Sequence, residues 1–165
     1  MTIRPAALDD FDDIWAIFEP IVRDGETYTY PHDTNYETAA QLWMKTPQHT
    51  YVALIDDTIV GTYYIKPNQP GGGSHVCNCG YMVAPVAQGR GIAKAMCRHS
   101  LENARTLGYR AIWEPIVIET NTAAIALWKQ CGFETVGRLP DAFDHPTREY
   151  VDALVMYKKL TGDTP

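Results

Sequence analysis

The chain has 165 residues, 45% hydrophobic and 21% charged, enough for one folded domain with a substantial core. Its net charge of −6 at pH 7 argues against general nucleic-acid binding, which needs a basic surface, but leaves room for a local anion site. No apolar run reaches membrane-spanning length, and the residues up to Arg23 are acidic where a signal peptide would be basic. A cytoplasmic protein without nucleic-acid or membrane partners is expected.

"TIRPA" reads as a first strand. From Asp9 to Arg23, Phe11, Ile14, Trp15, Phe18, Ile21 and Val22 recur at helical spacing, with acids early and Arg23 late. "DGETYTYP" breaks that helix, and Thr34 with Glu37 predicts a capping box for a second helix to about Met44. "YVALID", "DTIVGTYYI" and "SHVCNCGYMVA" follow as strands. Asp56-Asp57 marks a tight hairpin turn between the first two, and Lys66 to Gly73 a flexible loop before the third. Gly91 to Leu107 is a helix with Ile92, Met96, Leu101, Ala104 and Leu107 inward, and Gly108 sits where a left-handed cap belongs.

"RAIWEPIVIE" is a further strand, in which Pro115 predicts a bulge or an edge. Thr120 or Asn121 caps a short helix, Thr122 to Gln130, ended by Gly132. "ETVGRL" and "EYVDALVMYKKL" are the last strands, separated by the polar loop "PDAFDHPTR". The order β-α-α-β-β-β-α-β-α-β-β, with neither repeat nor linker, predicts a single domain over 1–165 of α/β or α+β class. Cys77 and Cys79 share one strand face and are too close in sequence for the usual zinc spacing, while Cys97 and Cys131 have no neighbour in sequence. Buried thiols and no metal are expected.

The turn Gln88-Gly89-Arg90-Gly91-Ile92-Ala93 joins a strand to a helix. A helix N-terminus presents unpaired N–H groups and partial positive charge, and glycine lets an anion approach the backbone. Arg90, Lys94 and Arg98 add cations. The Walker A pattern is absent, and Lys94 stands where a dinucleotide fingerprint would place its last glycine. The competing explanation is a plain strand-to-helix turn with solvated cations.

Gln88-x-x-Gly91-x-Ala93 resembles the Q/R-x-x-G-x-G/A pyrophosphate motif of the GCN5-related N-acetyltransferases (GNAT). "YMVAP" resembles that family's fourth strand, and "NTAAIALWKQCGFETVGRL" its later helix and strand. "RDGETYTYP" and "GRLPDAF…YVDALVMYKKL" are similar to the phosphinothricin acetyltransferase-like, small-molecule subgroup.

The resemblance implies an acyl-CoA N-acyltransferase fold: a mixed, mostly antiparallel sheet of about seven strands with four helices. It implies acetyl-CoA as donor and a small amine or amino acid as acceptor, joined by direct attack of the amine on the thioester. CoA pyrophosphate would lie on Gln88, Gly89, Arg90, Gly91, Ile92, Ala93 and Lys94, and the pantetheine arm along Met82, Val83 and Ala84 with Asn121 nearby. The N–H of Val83 would hold the oxyanion. The family's usual tyrosine acid is replaced by Trp128, which leaves water, Tyr81 or Cys131 to protonate the thiolate and gives some weight to an inactive acyl-CoA sensor.

Glu114, a carboxylate within an apolar strand, is expected to be paired or functional. Glu26 in the "GETYTYP" loop is a second candidate base, and Asn78 a candidate for holding acceptor or backbone. His75 and His145 rank lower because they sit in or beside polar loops. Tyr28, Tyr30 and Tyr150 are candidate lining of the acceptor pocket, with core packing as the alternative. The subgroup is compatible with a homodimer, for which the sequence itself carries no warrant.

Overall fold

The computed structural model describes residues 1–161. Its elements are β1 (Thr2–Pro5), α1 (Phe11–Asp24), α2 (Tyr36–Ala40), β2 (His49–Ile55), β3 (Thr58–Pro67), β4 (Val76–Val83), α3 (Ile92–Thr106), β5 (Ala111–Ile118), α4 (Thr122–Gln130), β6 (Glu134–Asp144) and β7 (Tyr150–Lys159). They form one seven-stranded sheet in the order β1-β2-β3-β4-β5-β7-β6. Every pairing is antiparallel except β4–β5, so the expected mixed sheet and four α-helices are present.

Most local signals act as expected. Asp56 and Asp57 take φ of 47° and 61° in the β2–β3 turn, and Gly108 and Gly132 take the left-handed conformation after α3 and α4. Four expectations need correction. Leu107, expected inward on α3, is exposed beyond its end at Thr106. The cap of α2 is Asn35, whose Oδ1 accepts from Thr38 N–H at 2.9 Å, while the Thr34 hydroxyl turns back to Pro31 O at 2.6 Å. β4 starts at Val76, because Ser74 closes the turn that Gly71–Gly73 opens. β6 runs through "PDAFD" to Asp144, with a register shift between Leu139 and Phe143. Pro140 is tolerated there because β6 is an edge strand, where a missing N–H breaks no ladder.

The helices cover both faces of the sheet. Phe18 of α1 and the fully buried Trp43 pack with Val52, Tyr64 and Met82 on one face. Met96 and Cys97 of α3 and Trp128 of α4 pack with Tyr63, Cys77, Cys79 and Ile112 on the other. Trp43 Nε1–H donates to Thr62 Oγ1 at 3.0 Å, and that hydroxyl donates to Tyr51 O at 2.9 Å, so this buried polar pair is satisfied.

The sheet is weakest at its parallel seam. β4 and β5 pair only at Val76–Ala111 and Cys77–Ile112. Beyond that, the β5–β7 register slips between Glu114 and Val117, at Pro115. A bulge there adds twist and carries β5 away from β4, leaving one edge of β4 open. The hydrogen bonds Ala84 N–H to Val60 O and Asn68 N–H to Val76 O fix the alternation of the β3–β4 ladder. Even-numbered β4 residues spend their backbone groups on β3, and odd-numbered ones, Cys79, Tyr81 and Val83, turn theirs to the open edge.

Candidate active site

A cavity of about 940 Å³ fills the gap between β4 and β5. It runs from the Gln88–Lys94 turn, past Val83 and Tyr81, to Glu114 and Asn78, with Tyr28, Tyr30 and Trp128 in its walls.

At the open end, Gly89 and Gly91 have φ of 74° and 78°, and a Cβ on either would meet no atom within 4 Å. These glycines are required by backbone conformation and leave clear space above the turn. Gly91 caps α3, and the first helical bond runs from Ala95 N–H to Gly91 O. The N–H groups of Ile92, Ala93 and Lys94 therefore have no partner within the helix. Lys94 lines the cavity and Arg90 does not. Asn121 caps α4 through its Oδ1, which accepts from Ala124 N–H at 3.1 Å, so its NH₂ remains for a ligand.

Along the strand, Val83 turns its backbone to the gap and lines the cavity. The backbone groups of Met82 and Ala84 do not face the gap, because they point to β3; Ala84 N–H is bonded to Val60 O at 2.9 Å. The corrected edge is Val83, Tyr81 and Cys79. Sequence pattern marks a strand, but only ladder phase decides which backbone groups face a neighbour.

At the inner end, Glu114 is 7% exposed. Asn78 Nδ2 donates to its Oε2 at 3.3 Å and to Trp113 O at 3.2 Å, while Tyr64 O–H donates to Asn78 Oδ1 at 3.2 Å. Glu114 Oε1 is buried without a hydrogen-bond partner among the described residues. Burial pushes its pKa up to about 8, against a smaller downward pull from the Cys79 backbone N–H. A carboxyl poised near neutrality in a cavity is suited to proton transfer.

Glu26 lies at the exposed lip and also lines an adjoining cavity of about 270 Å³ with Asn121, His145 and Arg148. His145 is buried; its Nδ1 accepts from Thr147 N–H at 3.3 Å, which folds the short loop over the ring. His75 is exposed and contributes its carbonyl to Arg110 N–H. Tyr150 is 66% exposed and lines neither cavity, because its strand position places it away from the gap. The Tyr81 hydroxyl is engaged with Ser100 Oγ at 2.6 Å, and Cys131 lies outside the lining, so neither is placed to protonate a leaving group in the gap. Trp128 packs on Tyr81 at 4.8 Å and Phe133 at 5.8 Å, closing the wall as a core residue.

Sequence reasoning missed Tyr64, which read as an ordinary strand aromatic. Its role depends on Gly80 opposite: a Cβ on Gly80 would come within 2.5 Å of the Tyr64 ring. Gly80→Ala should push that ring off Asn78 and cost about 1–3 kcal/mol of stability, read as a lowered denaturation midpoint with unchanged slope.

Residues 11–133 match the acetyltransferase (GNAT) family. N-acetyltransferase aca1 of Schizosaccharomyces pombe is 35% identical over 99 residues, 59% of this chain but 47% of that protein, so the match spans about half of this curated relative. L-amino acid N-acetyltransferase AaaT of Escherichia coli is 29% identical over 156 residues, covering 94% of this chain and 96% of that one. A solved GCN5-related N-acetyltransferase from Kribbella flavida superposes with a TM-score of 0.91 at 41% identity, covering 96% of both chains. On this sequence match and this fold, the chain belongs to the acetyltransferase (GNAT) family.

Proposed function

We propose that this acetyltransferase moves the acetyl group of acetyl-CoA to the amine of a small molecule, an amino acid or close analogue. The observation that carries it is the continuity of the cavity, from the unpaired N–H groups at the start of α3 to the buried carboxyl of Glu114. The pyrophosphate would lie on the Gly89–Lys94 turn, with Lys94 and the helix dipole offsetting its charge. The pantetheine arm would run along the open β4 edge at Val83. The name of the AaaT relative supports an amino-acid acceptor.

Glu114 is the proposed base and Asn78 its orienting partner; Glu26, at the exposed lip of the cavity, would meet the acceptor's outer end. The balanced reaction is R–NH₂ plus acetyl–S–CoA giving R–NH–acetyl plus HS–CoA. The N–C bond forms, the C–S bond breaks, and one amine proton ends on sulfur. Glu114 would take that proton as the amine attacks and return it, through water, to the departing thiolate. The oxyanion donor must lie close to Glu114. Strand rise puts Tyr81 about 7 Å along β4 from Cys79, whose N–H faces Glu114, and Val83 about 14 Å away. The Tyr81 N–H is therefore the better donor, with Val83 holding the arm. Incubation with acetyl-CoA, an amino-acid panel and a thiol reagent tests the reading. Acceptor-dependent thiol release supports it; acetyl-CoA binding without release for any acceptor would instead favour an acyl-CoA sensor.

A further inference from the structure

The Tyr81 backbone at the open edge already has a partner. Tyr28 O–H donates to Tyr81 O at 2.7 Å, and the Tyr28 hydroxyl oxygen accepts from Tyr81 N–H at 2.9 Å. The hydroxyl thus sits on β4 as a ligand would, using both edge groups of one residue. Its ring is held in place by stacking on Tyr30, with centroids 5.5 Å apart and planes 7° apart, and by an edge contact to Trp43 at 6.0 Å. Tyr28 belongs to the loop after α1, not to either strand, so no ladder requires it there. It lines the cavity beside the candidate base.

We propose that Tyr28 is a catalytic residue: the thioester carbonyl oxygen comes to share the Tyr81 N–H with its hydroxyl, and the Tyr28 O–H turns from Tyr81 O to that oxygen as a second oxyanion donor. This rests on the acetyl-transfer reading. A neutral peptide carbonyl is a weaker acceptor than the alkoxide that forms as the amine attacks. The O–H therefore gains most from leaving Tyr81 O in the transition state, which is where a catalytic contact must be stronger. Burial raises the phenol well above its ordinary range. It stays protonated, and it is a poor proton source for a thiolate, so its role is to donate a hydrogen bond without giving up the proton.

Tyr28→Phe keeps the stacked ring and removes the donor. The expected result is a fall in kcat of about a hundredfold with KM for acetyl-CoA little changed. Infrared difference spectra with carbonyl-¹³C acetyl-CoA give a readout besides turnover. The bound wild type should move the thioester carbonyl band to lower frequency, and Tyr28→Phe should lose part of that shift. An unchanged kcat and an unchanged band would overturn the proposal and leave Tyr28 a packing residue. If the phenylalanine variant fails to fold, 3,5-difluorotyrosine at position 28 keeps the hydroxyl while strengthening it as a donor; it should enlarge the band shift, and no change there would equally overturn the proposal. Wild-type protein that neither binds acetyl-CoA nor acetylates any amine would defeat the underlying reading instead.

Discussion

Gly91→Asp is expected to weaken CoA binding by at least a hundredfold while leaving the fold in place. Gly91 has φ of 78°, a conformation that costs most side chains about 1–2 kcal/mol but that aspartate adopts more readily. A Cβ there meets no neighbouring atom, so nothing in the core must move. The new carboxylate lies at the first turn of α3, where the helix dipole favours negative charge and offsets part of the strain. That is also why it should defeat the ligand: it occupies the anion's place with an anion. Two unit charges about 4 Å apart repel by about 4 kcal/mol at an effective dielectric of 20, and screening lowers this without removing it. Calorimetric titration with CoA, beside thermal unfolding of the same variant, measures both halves. Unchanged affinity would refute the pyrophosphate assignment.

The second large effect is expected at Glu114. If it is the base, Glu114→Gln should lower kcat by about 10²–10³-fold, with wild-type activity rising as pH climbs through about 8 and the variant losing that rise. Stability supplies a separate reading. The unfolded chain ionises this carboxyl near its ordinary value of 4.5, whereas the folded protein holds the proton up to about 8. Below 4.5 both states are neutral and the contribution is full. As pH rises from 4.5 to 8 the unfolded state loses its proton first, so stability falls by about 1.4 kcal/mol per unit, about 5 kcal/mol in all. Gln cannot ionise, so the variant's stability relative to wild type should grow steadily across that window. Denaturant titrations at pH 5, 6.5 and 8 would show it. Parallel curves for the two proteins would mean that Glu114 is ionised in the fold, and would remove it as a tuned base.

What was legible in the sequence was whatever a local rule enforces. The helix start at Gly91, the bulge at Pro115, the hairpin at Asp56-Asp57 and the caps at Gly108 and Gly132 are short-range backbone demands, and each appears in the structure. The unusual placement of Glu114 in an apolar strand was legible for a similar reason, because burying a carboxyl is costly. What was not legible depends on long-range register. Whether Met82, Val83 or Ala84 faces the gap is decided by how β4 phases against β3, and a shift of one residue would reverse it. The capping box at Thr34 failed because Asn35 is the better acceptor one position later. Tyr28 lies 53 residues from the backbone it touches, and no periodicity announces such a contact.

The brevity of the parallel seam between β4 and β5 has a consequence for cooperativity. Strands β1 to β4 are joined by antiparallel pairing in chain order, and β5 to β7 by antiparallel pairing in the order β5-β7-β6, yet the two groups share only two paired positions. Backbone pairing is thus thinnest at the boundary between the two groups, although one hydrophobic core, with Tyr63, Cys77, Ile112 and Met156, spans it. The cavity beside Glu114 lies on that boundary. A ligand spanning it would supply the rungs the seam lacks, so that occupancy adds cooperativity between the two groups.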